Sequence, residues 1–280
     1  MSIELPEAYI LAEQMRKELL QKQVKVFHLK DYQKLQRIGF INKDIEAFER
    51  LIKRRIESIT PRGNVIRVKF DLGVNMILGP EYGGRIIYHI SESTIPEKFH
   101  LKLNFNDNTL LTVTLTGMGV IQVLKDDELE QSYVYRRDFS EAISPLDKTQ
   151  FTFRHFSEQL AQKNVNIKPM LLGKDAVIVG LSNSAFQDLL YRAKIHPKRK
   201  ASDLGEDEKH ALFDAIRLII QERVRLGGKD QFLDLYERQG HYTPAMGPNM
   251  NGKSCKVCKT SIGKLSLGGG QVYFCPMCQK

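Results

Sequence analysis

Near the start of the chain the apolar residues recur at helical spacing. Ile10, Leu11, Met15, Leu19 and Leu20 fall on one face of a 3.6-residue repeat. Pro6 suits a first helical position and Glu7 the positive end of a helix dipole, so the pattern predicts a helix from about Pro6 to Leu20. Read from residue type alone, Glu4 and Glu7 form a capping cluster on a surface helix. The period then shortens. Gln23–Leu29, Asn64–Leu72, Gly84–Ile90, His100–Phe105, Thr109–Leu115 and Val120–Leu124 read as strands, with a hairpin turn at Asn106-Asp107-Asn108. One segment among them, Asp44–Ile59, places Phe48, Leu51, Ile52 and Ile56 at helical spacing and is expected to be a helix. Because long helices do not separate the strands, two antiparallel layers are favoured over a parallel sheet.

From about residue 150 the pattern is helical. Phe151–Gln162, Ser184–Ala193 and Glu206–Leu226 are expected helices, the last stopped by Gly227-Gly228, and Asp230–Arg238 a further short one. The expected organisation is α+β and multidomain. Residues 1–125 form a β-sandwich with a leading helix, 126–149 a linker, 150–238 a helical domain and 239–280 a small terminal module.

That module carries all the cysteines. Cys255-x-x-Cys258 and Cys275-x-x-Cys278 are separated by sixteen residues, with Asn251–Ser254 as an entering turn and Val272-Tyr273-Phe274 as a strand into the second pair. Two such pairs suit one tetrahedral zinc ion, a structural site with no open coordination position. Two disulfides or free thiols are the alternatives. Reduced thiols fit an intracellular setting, and the first ten residues carry acids rather than an apolar leader. No apolar run approaches the length of a membrane span.

Charge adds a partner class. The chain carries a formal charge of +9 with a pI near 9.3. From Arg238 onward there is no acidic residue, while Arg238, Lys253, Lys256, Lys259, Lys264 and Lys280 are basic. A basic hairpin of this kind suggests a nucleic-acid finger. A basic grip does not by itself separate DNA from RNA, so an RNA- or translation-associated binder stands as a distant alternative.

Four stretches then converge on one family. Val179-Gly180-Leu181-Ser182-Asn183, followed by Ala193-Lys194-Ile195-His196-Pro197, resembles the helix-two-turns-helix of the formamidopyrimidine-DNA glycosylase and endonuclease VIII family. Ile167-Lys168-Pro169-Met170-Leu171-Leu172 is similar to the segment preceding that motif. Phe274-Cys275-Pro276-Met277-Cys278-Gln279 resembles the end of the family's zinc finger, and Glu4-Leu5-Pro6-Glu7 its N-terminal signature. The match is strong over 151–280 and patchy over 1–150.

The resemblance implies a chemistry and also its alteration. In the family, an N-terminal proline exposed by removal of Met attacks C1′ of a damaged nucleoside, and the next residue, a glutamate, moves protons at the sugar. Here that glutamate is Glu4, and the proline position falls on Ile3, with Ser2 ahead of it. An α-amine at Ser2 sits one residue, roughly 3.5 Å of chain, too early. The family's phosphate-binding lysine falls on Asn64 of Pro61-Arg62-Gly63-Asn64, its void-filling Arg-x-Phe-Gly on Thr116-Gly117-Met118-Gly119, and its finger arginine on Gly270 or Gln271. Ala185 stands where Tyr is frequent.

What is retained is the backbone grip. Lys168 and Asn183 match residues that hold phosphates, although residue type alone also allows Asn183 to be a helix N-cap. Lys194, Lys198, Arg199 and Lys200 suggest further phosphate contacts, and His196-Pro197 a turn. The resemblance therefore implies a divergent family member, monomeric and DNA-associated in the cytoplasm. It would bind damaged or abasic double-stranded DNA with base excision weak or lost. Glu4 and Ser2 are the catalytic candidates, Glu7, Asn64, Lys168, Asn183 and Gln271 the DNA-binding ones, and Cys255, Cys258, Cys275 and Cys278 the zinc ligands. The alternative is an active glycosylase and abasic-site lyase that uses another amine, Ser2 or a lysine.

Overall fold

The computed structural model describes every residue except Met1, Ser2, Tyr82, Glu141, Ala142, Lys163 and Gly173 to Asp175, together with the side chain of Ile38. Two compact units result, each described by itself below. The first comprises Met1–Ser140 and Val224–His241, the second Glu141–Arg223 and Tyr242–Lys280. Residues 224–238, placed by sequence with the helical domain, and 239–241, placed with the terminal module, thus pack in the first unit.

Helix α1 (Leu5–Leu19) opens the first unit. Glu4 is its N-cap and forms a reciprocal capping box with Glu7, and Pro6 lies in the first turn where a missing N–H costs nothing. Strand β1 (Val24–Leu29) and a short helix α2 (Tyr32–Ile38) follow, then β2 (Phe40–Ile41). The helix expected over Asp44–Ile59 is instead a 3₁₀ helix, Ile45–Leu51, followed by strand β3 (Ile56–Arg62). Lys53, at φ 63°, takes a left-handed conformation between them and stops helical propagation. The remaining strands are β4 (Val65–Phe70), β5 (Val74–Gly79), β6 (Arg85–His89), β7 (Leu101–Phe105), β8 (Leu110–Thr114) and β9 (Val120–Lys125).

These strands form the two expected layers. One sheet has the order β1-β7-β8-β6 and the other β2-β9-β5-β4-β3. All pairs are antiparallel except β2 with β9. The core between them takes Phe70, Met76 and Val123 from one sheet, Leu101, Leu103 and Phe105 from the other, and Leu11, Met15 and Leu19 from α1. Phe232 and Leu235 of the returning segment join the same core. That segment is not the helix expected over Asp230–Arg238. The Asp234 carboxylate accepts the backbone N–H groups of Tyr236 and Arg238, each at 2.9 Å, and so offers the backbone a turn in place of a helix.

After β9 the chain passes through a 3₁₀ turn (Asp126–Gln131), one turn of helix α3 (Tyr133–Tyr135) and a π-turn (Arg136–Ser140). The second unit contains α4 (Phe153–Ala161), α5 (Ile167–Leu172), α6 (Asn183–Ala193) and most of α7 (Glu206–Arg225). Helix α6 ends on Lys194 in a left-handed cap at φ 59°, its N–H returned to Leu190 and Tyr191. The chain closes with a hairpin of β10 (Gly263–Leu267) and β11 (Gly270–Phe274). Its two-residue turn, Gly268-Gly269, has φ 53° and 75°, the left-handed values that a tight hairpin turn demands. No described helix is long and apolar enough to cross a membrane.

Candidate functional site

The N-terminal signature residues lie in the first unit, at the start of α1. Ile3, Glu4 and Glu7 are 6%, 1% and 0% exposed. Glu7 closes the capping box by accepting the Glu4 backbone N–H at 3.0 Å, and its other oxygen accepts the backbone N–H of Lys229 at 3.1 Å. Lys229 follows the Gly227-Gly228 stop, and its side chain turns inward. Its Nζ lies 3.5 Å from Glu4 Oε2 and 4.0 Å from Glu7 Oε2, and the residue is 3% exposed. Gly228 makes this approach possible, because at φ 94° a Cβ there would meet the Phe232 ring at 2.5 Å and Glu7 Cγ at 3.2 Å. Beside the cluster is a partly open cavity of about 90 Å³ lined by Ile3, Glu7, Gly83, Gly84, Arg85 and Lys229 among others. Ser2, the other catalytic candidate, lies outside the described residues.

Lys229 escaped the sequence reading. A lysine after a glycine pair looks like an exposed cap residue, and lysine is rarely buried unless paired. The usable signal was that the chain must return a cation toward two acids whose spacing, Glu4 and Glu7, fits a capping box.

Asn64 sits in the turn between β3 and β4. Its amide donates to Glu81 and accepts from Arg137 Nη2 at 2.7 Å. Arg137 in turn grips the buried Asp138 through Nε and Nη2 at 2.5 and 2.6 Å. Burial raises the Asp138 carboxyl, more than the Arg137 ion pair lowers it. A guanidinium thus stands beside Asn64. In the nearby loop, Thr116 donates to the Glu81 carbonyl at 2.7 Å, and Met118 is 56% exposed.

In the second unit, one face of α6 organises the site. Asn183, Gln187 and Tyr191 follow one another at intervals of four and stack along it. Asn183 Nδ2 donates to the Gln271 carbonyl at 2.8 Å, Gln187 Oε1 accepts the Tyr273 N–H at 2.8 Å, and the Tyr191 hydroxyl lies 3.2 Å from Cys255 Sγ. Alternate residues of β11, Gln271 and Tyr273, are therefore docked on successive turns of the helix. The helix N-cap is Ser182, whose hydroxyl accepts the Ser184 N–H, so the cap reading of Asn183 gives way to hairpin docking. Lys168, on α5, donates to the Leu267 carbonyl at 2.6 Å, and burial lowers its ammonium below the ordinary lysine value. A Cβ on Gly270 would come within 3.5 Å of both Lys168 Nζ and Asn183 Nδ2, so the strand start is held against both residues. The Gln271 side chain donates to Ser266 across the hairpin at 3.1 Å.

The nearby cations divide. Arg199 pairs with Glu208 at 2.9 Å and donates to the carbonyls of Asp203 and Lys280, a structural role. His196 accepts the Lys198 N–H at 3.3 Å and packs edge-on against Phe274, as a turn residue does.

The four cysteines are free thiols whose Sγ atoms all lie within 4.8 Å of one another. Cys255 and Cys278 are 3.9 Å apart, and Cys258 and Cys275 are 3.4 Å apart. Disulfides require about 2.05 Å, whereas sulfurs bonded to one zinc at about 2.3 Å stand roughly 3.8 Å from each other. The set can hold one metal ion. Burial raises the Cys255 thiol, but the Tyr191 hydroxyl and the N–H groups of Cys258 and Val257 outweigh it and bring the thiol down to about 6. Tyr191 is thus a partner of a candidate metal-binding sulfur that the cysteine spacing did not reveal. The polar stripe Asn183–Gln187–Tyr191 was its sequence signal.

The chain thus combines a two-layer sandwich entered by a doubly acidic capped helix with a helical unit that docks a four-cysteine hairpin. The formamidopyrimidine-DNA glycosylase H2TH domain matches residues 142–232. Formamidopyrimidine-DNA glycosylase of Ligilactobacillus salivarius is 26% identical over 280 residues, covering 99% of this chain and 98% of that one. The enzyme of Pelotomaculum thermopropionicum is 27% identical over 239 residues, covering 84% of this chain and 85% of that one. Among solved structures, Lactococcus lactis Fpg in complex with abasic-site DNA superposes with a TM-score of 0.84 over 99% of both chains at 23% identity, which speaks for the fold. Residues 142–232 thus match that family's H2TH domain, and nearly the whole chain is similar to formamidopyrimidine-DNA glycosylases.

Proposed function

We propose that this protein binds damaged or abasic double-stranded DNA as a monomer, with base excision by the family's proline route weak or lost. One observation carries the reading. The residue at the family's proline position is Ile3, which is buried and has an ordinary peptide nitrogen, while the neighbouring Glu4 remains in place. An amide nitrogen cannot form the iminium that proline forms. Glu4 can still exchange a proton at a sugar, but a carboxylate without an attacking nitrogen leaves the glycosidic bond intact.

The binding apparatus is better preserved. Lys168 uses one N–H on Leu267 and keeps further donors for a phosphate oxygen, and Asn183 is placed at the N-terminus of α6, where backbone N–H groups favour an anion. Arg137 would supply, beside Asn64, the positive charge that the missing lysine no longer gives. Gln271 lies on the same hairpin. The four cysteines would hold one structural zinc ion, which fixes the hairpin and takes no part in chemistry. Glu7 serves the capping box and the Lys229 N–H, and would act on DNA only by holding Glu4 and Lys229 in position. An intracellular, DNA-associated location follows from this reading.

The test is a binding and excision panel on duplexes carrying an abasic-site analogue, an oxidised purine, an oxidised pyrimidine or no lesion. The abasic analogue should bind at least about tenfold tighter than undamaged duplex, with excision of the oxidised bases slow or absent. Replacing Ser2 and Ile3 by a single proline should raise excision. Equal affinity for damaged and undamaged duplex would overturn the binding reading. Robust excision by the natural chain, unchanged in the proline variant, would overturn the loss of activity.

A further inference from the structure

We infer that Lys229 is an internal amine nucleophile for abasic-site DNA, forming a Schiff base with the ring-opened sugar in place of the N-terminal amine. The inference rests on the proposed binding of abasic DNA and names the group that would react there. Lysine amines form Schiff bases with aldehydes once an adjacent general base takes the ammonium proton. Lys229 meets this condition on geometry. Its ammonium is buried, lies 3.5 Å from Glu4 Oε2 and 4.0 Å from Glu7 Oε2, and borders a partly open cavity of about 90 Å³. Its backbone is fixed by the N–H bond to Glu7, and the bend at Gly228 aims the side chain inward. Glu4, the proton-transfer residue that the family resemblance assigns, is thus within reach of a primary amine on the same unit.

The chemistry balances within the site and its substrate. An ammonium proton passes to the Glu4 carboxylate. The freed Nζ lone pair attacks the C1′ aldehyde carbon, and the carbonyl electron pair moves to oxygen, which takes that proton back to give a carbinolamine. Loss of the hydroxyl as water forms the C=N bond of a protonated imine. Removal of a C2′ proton by the carboxylate then expels the 3′ phosphate by β-elimination, and water hydrolyses the imine to return the lysine. Intact nucleosides present no free aldehyde, so the route favours abasic sites over damaged bases.

The test is sodium borohydride trapping of the full chain on an abasic-site duplex, with proteolysis and mass mapping of the adduct. Binding to a reduced, non-reactive abasic analogue is measured in parallel. We expect a covalent adduct on Lys229. Lys229→Arg keeps the cation but should lower trapping by more than about 1,000-fold, the scale of removing a nucleophile, while affinity for the analogue stays within a few fold. A chain with an N-terminal extension that blocks the α-amine should trap as the natural chain does. An adduct on the N-terminus or another lysine, or trapping retained in Lys229→Arg, overturns the inference. Binding to the analogue without any adduct also overturns it and leaves the binding reading standing. Failure to bind the analogue at all sinks both.

Discussion

Glu7→Ala tests whether the buried acid–amine cluster holds the first unit together. The Glu7 carboxylate accepts two buried backbone N–H groups, from Glu4 at 3.0 Å and Lys229 at 3.1 Å. Hydrogen bonds to a charged acceptor contribute about 1.5–3 kcal/mol each, so their loss costs about 3–6 kcal/mol. Two terms reduce this. The desolvation cost of Glu7 itself disappears, and the Lys229 ammonium retains Glu4 at 3.5 Å. A net loss of about 3–4 kcal/mol matches the range for removing one member of a buried charge pair. For a unit of this size each kcal/mol shifts the midpoint by about 2–4 °C, so the expected fall is about 6–16 °C. Glu7→Gln keeps one acceptor and the side-chain length, and should fall between the two. The assay is thermal and urea unfolding followed by far-UV circular dichroism, with amide exchange to locate the loss. Protection should drop first in α1 and in β3, along which α1 packs. A Glu7→Ala midpoint within about 1 °C of the natural chain would refute the assigned role, because no rearrangement leaves two buried N–H groups unpartnered without cost.

Metal analysis should return one zinc per chain, and Cys258→Ser should abolish it, unfold the hairpin and weaken DNA binding while α1 keeps its amide protection. Tyr191→Phe removes the hydroxyl beside Cys255 and should speed zinc loss to a chelator by about 10–100-fold, and Gln187→Ala should raise amide exchange at Tyr273. In DNA titrations against salt, Lys168→Ala should weaken binding and lower the salt slope by about 1, whereas neutral Asn183→Ala should weaken binding with the slope unchanged. Acidification should destabilise the first unit. Burial lowers the proton affinity of His89 and His100, and His100 Nδ1 accepts the Leu115 N–H at 2.8 Å, a bond that protonation breaks. Both folded-state values lie below the ordinary 6.5, so the unfolded chain binds more protons in that window. Their stabilisation is present above 6.5 and is lost as pH falls through the folded values. Urea midpoints from pH 7.5 to 5 should fall, with a smaller slope in His100→Gln.

The sequence was most legible where local chemistry and tertiary packing agreed. The α1 face, the glycine stop of α7 and the two Cys-x-x-Cys turns each rest on residues whose local preference the packed structure also needs. It misled where one spacing satisfied two structures. Phe48, Leu51, Ile52 and Ile56 fit a helix, yet Ile56 and Ile59 face the core from β3, whose pairing with β4 outweighs the helical preference. Strand β5, Val74–Gly79, was passed over because all six residues are buried and so show no alternation. Asp230–Arg238 looked helical by composition, but one side chain, Asp234, redirects its backbone.

The proposed loss of the catalytic proline and the Lys229 cluster meet at the same place. Sequence comparison marked what was missing, a proline at position 3, because motifs are read residue by residue. It could not mark what had been added, because Lys229 is separated from Glu4 by 225 positions and is brought there only by the segment that returns to the sandwich. That return depends on Gly228 for its approach and on Asp234, Phe232 and Leu235 for its anchorage. Burying an ammonium between two carboxylates is costly unless the charges are paired, and the acids here gain a partner that an exposed capping box would not need. The cluster therefore couples the shape of the 224–241 segment to the position of Glu4, the acid that the proposed chemistry uses. A change at Gly228, remote in sequence from every motif, should disturb Glu4 as surely as a change at Ile3.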